Sequence, residues 1–300
     1  MRRGAAKSAV VTGAAGFIGY HLVQKLLQEG YLVHAVVRPG SKHNERLPKH
    51  GNLRLYEISQ AEYGRMAEIV EEKTAEVFFH LAWQAGSRDD FALHHTNMEA
   101  VLTALRAAKT LSCRRFLAVG SQAEYGPTEG TITEETALHP VNAYGVAKVA
   151  ACYLTQRLAA QLGVEWLWGR IFSIYGKYEN EGHLLRELVA ALSDGREFSM
   201  TAARQTWDFL YAEDCAAALI ALAEKGRVGE VYNIADGRCR PLREFTEEAR
   251  RIVASDGVIH YGERGDAVYG IAPSVKKLQE DTGWHPQTAF EDGIRKGYEF

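Results

Sequence analysis

The sequence predicts an α/β fold, a doubly wound parallel sheet with a smaller C-terminal lobe, on three observations. Short apolar runs alternate with helical stretches over residues 1–172. The first of those runs breaks into a glycine turn that opens a helix. The stretch Glu76-Val77-Phe78-Phe79-His80-Leu81-Ala82-Trp83 has a continuous apolar core, as a parallel strand covered on both faces has.

Ser8-Ala9-Val10-Val11-Thr12 is the first strand. It gives way to Gly13-Ala14-Ala15-Gly16-Phe17-Ile18-Gly19, after which Leu22, Leu26 and Leu27 recur at helical spacing. Glycines let the backbone turn tightly and approach a phosphate, and the N–H groups and dipole of the following helix favour its charge. Gly13, Gly16, Phe17, Ile18 and Gly19 are therefore expected to hold a dinucleotide pyrophosphate. The second strand, 32–37, ends in Arg38-Pro39-Gly40-Ser41-Lys42, where an acid for an NAD ribose is usual and none is present. Arg38 fits a 2′-phosphate, with Ser41 or Lys42 assisting, so NADPH is expected and NADH or NAD is the alternative.

A third strand near 53–57 and a helical segment around 63–72 lead to the apolar strand, whose His80 reads as a packed histidine rather than a catalyst. A helix over 91–111 precedes a strand at 115–120 that ends in Ser121-Gln122-Ala123-Glu124-Tyr125-Gly126. After a polar loop with Pro127 and Pro140 comes Asn142-Ala143-Tyr144-Gly145-Val146-Ala147-Lys148, opening a helix to about Leu162, then a strand over 164–172. Ligands collect at the carboxyl ends of strands in such sheets, where the Gly13 loop, Trp83 and Ser121 fall. Past Phe172 the rhythm is irregular. A polar and aromatic loop (173–181), a helix (182–193), the Trp207-Asp208-Phe209-Leu210-Tyr211 run into a helix (214–224), a strand (231–235) and helices over 242–254, 275–282 and 290–297 follow. This divides the chain into a dinucleotide-binding domain, 1–172 with 207–235 returning to it, and a substrate-binding lobe, 173–206 with 236–300.

Tyr144 and Lys148, four apart on one helix, share a face. A phenol titrates near ~10, and a cation beside it favours its ionised form, which makes Tyr144 a usable acid-base. The same spacing also fits a packed ring and a solvated amine, so the pair gains its meaning from the rest of the chain.

Composition narrows the classes. The apolar fraction of 46% and charged fraction of 24% are those of an ordinary globular protein. A net charge of -3 without a run of one sign gives no nucleic acid or acidic membrane surface to bind. The pairs Arg2-Arg3 and Arg114-Arg115 read as solvated. Cys113, Cys152, Cys215 and Cys239 are scattered, without disulfide or zinc spacing, so no metal is expected and a cytoplasmic location fits. No export signal or membrane span is read.

Taken together, the glycine turn, His80-Leu81-Ala82, Ser121 ahead of Tyr125-Gly126, Tyr144-x-x-x-Lys148, Arg170 ahead of Tyr175-Gly176, and Asp208-Phe209-Leu210-Tyr211 ahead of Glu213-Asp214 resemble the extended short-chain dehydrogenase/reductase superfamily, in its nucleotide-sugar-modifying branch. The resemblance covers nearly the whole chain and implies a Rossmann fold. It implies that Tyr144 exchanges a proton with the substrate oxygen, that Ser121 hydrogen-bonds that oxygen, and that Lys148 holds the nicotinamide ribose and lowers the Tyr144 pKa. Glu57 and Ile58 fall at its adenine contacts, and Leu81, Ala82 and Phe172 at further cofactor contacts.

Departures from the family narrow the reaction. The 4,6-dehydratases carry an Asp-Glu pair where this chain has Gln122 and Ala123, so dehydration is not expected; Glu124, one position later, is a minor candidate for a second catalyst. The cysteine-histidine pair of epimerase-reductases is not evident. The family arginine that grips a diphosphate is replaced, with Arg204 nearest, and Trp207 stands before Asp208. Substrate-pocket candidates are Trp83, Gln84, Gln122, Glu124, Tyr125, Ser173, Tyr175, Arg204 and Trp207. The Ser-Gln-Ala-Glu-Tyr and Trp-Asp-Phe-Leu-Tyr forms resemble deoxysugar 4-ketoreductases such as the CDP-abequose and paratose synthases. The expected activity is NADPH-dependent reduction of a nucleoside-diphosphate 4-keto-6-deoxysugar. A nucleotide-sugar 4-epimerase retaining NAD, and a non-catalytic dinucleotide sensor, are the alternatives. The family pattern implies a homodimer through the helices at 91–111 and 143–162.

Overall fold

The computed structural model describes residues 7–71, 75–254, 256–265 and 269–300. Arg2-Arg3 and the far end of the 63–72 segment lie outside the described residues. In chain order the strands are β1 (Ser8–Thr12), β2 (Leu32–Val37), β3 (Leu53–Glu57), β4 (Val77–His80), β5 (Arg115–Ser121), β6 (Glu165–Ile171), β7 (Ile174–Tyr175), β8 (Phe198–Met200), β9 (Thr206–Trp207), β10 (Leu210–Tyr211), β11 (Val231–Ile234), β12 (Arg240–Pro241) and β13 (Ile259–Tyr261). The helices are α1 (Phe17–Gln28), α2 (Met66–Ile69), α3 (Phe91–Thr110), α4 (Ala143–Leu162), α5 (Leu184–Ser193), α6 (Ala212–Lys225), α7 (Leu242–Val253), α8 (Lys276–Thr282) and α9 (Phe290–Gly297).

Seven strands form one parallel sheet in the order β11-β6-β5-β4-β1-β2-β3. Its strand order reverses between β1 and β4, which opens a crevice at their carboxyl ends. Thr12 lies opposite His80, and His80 opposite Ala118, so the residues that follow these strands meet at one edge. Every residue of β1 and β4 is buried, as their unbroken apolar runs require. Leu22, Leu26 and Leu27 of α1 pack on one face with Ala216, Leu219 and Leu222 of α6. Ala104, Leu105 and Ala108 of α3 pack on the other with Ala151, Cys152 and Ala159 of α4. Fully burying each such leucine contributes about 1.5–3 kcal/mol.

A separate core marks the smaller lobe. Leu185, Leu188 and Leu192 of α5 meet Phe245, Ala249 and Ile252 of α7, Ile294 of α9, and the rings of Tyr175 and Phe209. The lobe is tied to the sheet domain by His21, whose Nε2 is 2.9 Å from the Lys177 carbonyl oxygen, and by Arg46, whose guanidinium lies 4.5 Å from the centre of the Tyr178 ring.

Two differences from the sequence reading have local causes. The segment expected to be helical over 63–72 is a 3-10 turn, Gln60–Arg65, followed by the single turn α2, with Gly64 inside it where glycine weakens a helix. The short strands β7–β10, β12 and β13 run two or three residues each, too few for a periodic pattern, and are fixed by pairing with distant chain. Among the described residues no helix is long and apolar enough to cross a membrane.

Candidate active site

The turn between β1 and α1 is shaped by contacts that leave no room for side chains. Gly13 has φ +69°, and a Cβ there would stand 2.8 Å from the Ala82 backbone nitrogen; a Cβ on Gly19 would stand 2.1 Å from the Gly13 oxygen. The turn is thus drawn flat against both the start of α1 and the segment after β4. Gly16 is the N-cap of α1 and offers no side-chain cap, which leaves N–H groups of the first turn directed into the crevice. This geometry fits a pyrophosphate. Phe17 and Ile18 are half-buried beside it, as are Leu81 and Ala82. Arg38 is exposed beyond the end of β2, and among the described residues its guanidinium has no ion-pair partner. Glu57 does not stand open to a base: its carboxylate accepts from the Gly40 N–H (3.2 Å) and the Asn44 amide (3.0 Å), holding the turn that carries Arg38.

Two expected cofactor contacts are corrected. The Ile58 side chain is 2% exposed within the core and its N–H is taken by the Val37 oxygen, while Phe172 packs at 6.0 Å on the ring of Tyr125 and its N–H by the Ile234 oxygen. Each continues the hydrogen-bond ladder one residue past the end of its strand, β3 for Ile58 and β6 for Phe172.

Ser121, Tyr144 and Lys148 are brought together at the end of β5. The first turn of α4 is anchored by Asn142, whose Oδ1 accepts from the Gly145 N–H (2.9 Å), by Asp89, which accepts from the Ala143 N–H (3.0 Å), and by the Arg88 carbonyl, which accepts from the Tyr144 N–H (2.8 Å). Lys148 is buried, with Nζ 2.8 Å from the Val119 oxygen and 5.9 Å from the centre of the Tyr144 ring. Burial draws its pKa down to about 7, with the Glu124 charge pulling the other way. The expectation that Lys148 lowers the phenol is corrected as well. Burial pushes the Tyr144 pKa up; the groups that oppose this are Ser121, through a side-chain hydrogen bond, and the Arg88 charge. The resulting tyrosine holds its proton at neutral pH beside a serine hydroxyl, an arrangement able to donate that proton to an oxygen placed between them.

His80 is the packed residue expected: its Nδ1 lies 2.9 Å from the Thr12 hydroxyl and its ring stacks on Phe116 at 6.1 Å, while burial first and the Lys148 charge second press its pKa down to about 3.

Three substrate-pocket candidates are structural instead. Glu124 is fully buried: it accepts from the Ser121 N–H (2.9 Å), the Trp168 indole (3.0 Å) and the Arg170 guanidinium (2.8 Å), which also removes it as a second catalyst. Tyr125, also fully buried, donates to Asn233 (2.6 Å) and accepts from Arg170 (2.9 Å). Tyr175 lies inside the core of the smaller lobe and donates to the Phe290 oxygen (3.3 Å). Of the others, Trp83 stands in the site, edge-to-face with Tyr144 at 5.9 Å. Gln122 follows Ser121 with a buried Oε1 that has no partner among the described residues. Gln84 is exposed, its backbone held by Asn97, and Ser173 gives its carbonyl to the Leu210 N–H. Arg204 is exposed, and Trp207 pairs from β9 with Arg240 of β12, its indole N–H without a partner among the described residues. Arg88, Asp89 and His94 were not legible as site residues, because loop 84–90 meets α4 only through the fold; Asn142 carried a signal, an N-cap residue just before a helical run.

The profile of the NAD dependent epimerase/dehydratase family matches residues 9–235. The low-salt glycan biosynthesis protein Agl12 of Haloferax volcanii is 28% identical over 95% of each chain. The dTDP-6-deoxy-L-talose 4-dehydrogenase (NAD(+)) of Aggregatibacter actinomycetemcomitans is 27% identical over 80% of this chain and 88% of its own. The UDP-glucose 4-epimerase of Thermotoga maritima, solved with UDP-glucose, superposes with a TM-score of 0.85 at 25% identity over 97% of each chain.

Proposed function

The chain belongs to the NAD dependent epimerase/dehydratase family of nucleotide-sugar-modifying enzymes, and from that premise we propose that it reduces a nucleoside-diphosphate 4-keto-6-deoxysugar with NADPH. The observation that carries the reading is Tyr144, half-buried and protonated beside Ser121 at the carboxyl edge of β5. When bound, the nicotinamide supplies the hydride. Ser121 hydrogen-bonds the keto oxygen and fixes it against the phenol. Tyr144 gives its proton to that oxygen as the carbon is reduced, and its raised pKa suits a donor. Lys148, with one N–H on the Val119 oxygen, has donors to spare for the ribose hydroxyls. Gln122 and Ala123 supply neither the acid nor the base that water elimination needs. The exposed Arg38, followed by Ser41 and Lys42, supports NADPH over NADH. The likeness to a deoxysugar 4-dehydrogenase, which names the same carbon, supports the 4-keto substrate.

The smaller lobe, 173–206 with 236–300, is the substrate-binding part in this reading, and Gln122, Arg204 and Trp207 reach the sugar nucleotide from outside the catalytic centre. The exposed Val146, Tyr153 and Leu154 on α4 and Phe91 on α3 support a homodimer through these helices. The four free thiols support a reducing, cytoplasmic setting.

The second reading is a 4-epimerase, favoured by the likeness to the UDP-glucose 4-epimerase. One experiment separates them: oxidation of NADPH and NADH is followed against CDP-, dTDP-, GDP- and UDP-linked 4-keto-6-deoxysugars. Stoichiometric oxidation with one of them is expected. No oxidation with any, together with NAD released on denaturation, replaces the reductase with the epimerase.

A further inference from the structure

Lys148 is 4% exposed, yet among the described residues no carboxylate lies within ion-pair distance of it. Its partners are a neutral oxygen, that of Val119 at 2.8 Å, and an aromatic face: Nζ sits 3.9 Å from the centre of the Trp83 ring. That ring is itself fixed. Its Nε1 donates to His94 Nδ1 at 3.3 Å, and His94 Nε2 is 3.0 Å from the Ser87 oxygen, which sets the His94 proton on Nε2. The Tyr144 ring closes the group, 5.9 Å from Trp83 and 5.5 Å from His94.

We infer that Trp83 is a positioning residue for Lys148: its indole face holds the charged ammonium at the end of β5 in place of an acidic partner. A carboxylate would hold the charge more tightly but would also take the ammonium's hydrogen bonds. A π face attracts the cation through its quadrupole and has no lone pair in the ring plane to compete, so a donor stays available for a ribose hydroxyl. Of the surrounding charges only Glu124, from the 3-10 turn after β5, favours the ammonium, and it does so from a distance while ion-paired with Arg170 of β6; His80, at the end of β4, is neutral, and Tyr144, on α4 itself, keeps its proton. Burial, even with the Glu124 charge opposing it, brings Lys148 close to losing its proton near neutrality, so a modest attraction decides its state.

The inference rests on the site assigned to Lys148 above, but its test needs no substrate. The chemical shift of Lys148 Cε is titrated by NMR in the purified protein, with Lys148→Met to identify the signal. Tetrafluorotryptophan placed at position 83 alone keeps the shape and drains the ring face; Trp83→Phe keeps a smaller face and Trp83→Leu removes it. The midpoint is expected to fall by about one pH unit with the fluorinated ring and with Leu, and by less with Phe. A midpoint unmoved by fluorination, or equal falls with Phe and Leu, overturns the role of the π face. Should Trp83→Leu fail to fold, the fluorinated protein decides. An unshifted midpoint in a protein that reduces 4-keto sugars removes Trp83 and leaves the proposed function standing; a shifted midpoint without reduction does the reverse.

Discussion

Two groups of polar side chains sit side by side at the carboxyl ends of β5 and β6, one buried throughout and the other half-buried around the buried Lys148, and they are partnered in opposite ways. In the first, Glu124 takes three donors, Arg170 gives to Glu124 and Tyr125, and Tyr125 gives to Asn233, whose amide reaches the Ile132 oxygen at 3.2 Å. Burial presses on the Arg170 charge, but Glu124 and Tyr125 more than reverse this. In the second, Lys148 has one oxygen and a ring face, Tyr144 lies beside a serine hydroxyl, and the Gln122 oxygen has no partner among the described residues. Glu124 and Lys148 are both buried, so burial by itself says little about role. A network with every group satisfied holds the backbone in one place, and unspent donors beside it are what a substrate and cofactor can use.

The sharpest break of this contrast is Tyr144→Phe, which removes one hydroxyl from the unspent group. Turnover is expected to fall by about 10²–10⁴-fold with cofactor affinity kept, read by steady-state kinetics and a fluorescence titration of the cofactor. Retained activity would sink the mechanism. Next comes the satisfied group. Glu124→Ala strands the Arg170 charge and should cost about 3–5 kcal/mol in urea unfolding, whereas Glu124→Leu combined with Arg170→Met should lose less than that single change. Should the double variant lose the sum of its parts, the network is not the unit described here.

Two arginines sharpen the comparison further. Arg170 has spent its donors and Arg38 has not, so Arg38→Ala should lower kcat/KM for NADPH by about 10–100-fold and leave NADH nearly unchanged. Equal losses with both cofactors would show that Arg38 does not read the 2′-phosphate. Lys148→Met tests the cost of an under-partnered cation. The folded pKa of about 7 lies below the ordinary 10.5, so between these values the unfolded chain binds the extra proton and stability rises with pH. The substitution should raise Tm at pH 6 by a few degrees and lose that advantage as pH climbs toward about 10. A gain that is the same at every pH would assign the effect to packing. The smallest change in chemistry is expected from Tyr153→Glu, on the exposed face of α4: light scattering should show a halved mass while activity is kept within about two-fold.

The sheet was legible because β1, β4 and β5 carry their own signal, runs of apolar residues ended by glycine or a polar turn. That Ser121, Tyr144 and Lys148 come together was legible for a similar reason, since Tyr144 and Lys148 lie on one helix and Ser121 ends a strand. What failed was partnership over distance. Ser-Gln-Ala-Glu-Tyr reads as a polar loop open to substrate, and only the fold brings Arg170 and Asn233 to bury Glu124 and Tyr125. The direction of the Tyr144 shift was missed on the same account: two residues on one face promise mutual influence, but how deeply the helix sinks decides which influence wins.

Tyr144, the proposed proton donor, takes its position from a stretch far away along the chain. The first turn of α4 is pinned by the Arg88 carbonyl and by Asp89, which is separated from its partner Ala143 by 54 positions. In time rather than space, this makes the reactive geometry a late event. A nascent chain can wind α4 from its own alanines before loop 84–90 has docked, and docking must wait until β4 and β5 are paired, because closing so long a loop is entropically costly. On refolding from urea, helical signal should thus return ahead of turnover, and the interval between them measures how long the enzyme exists as a folded sheet without a working donor.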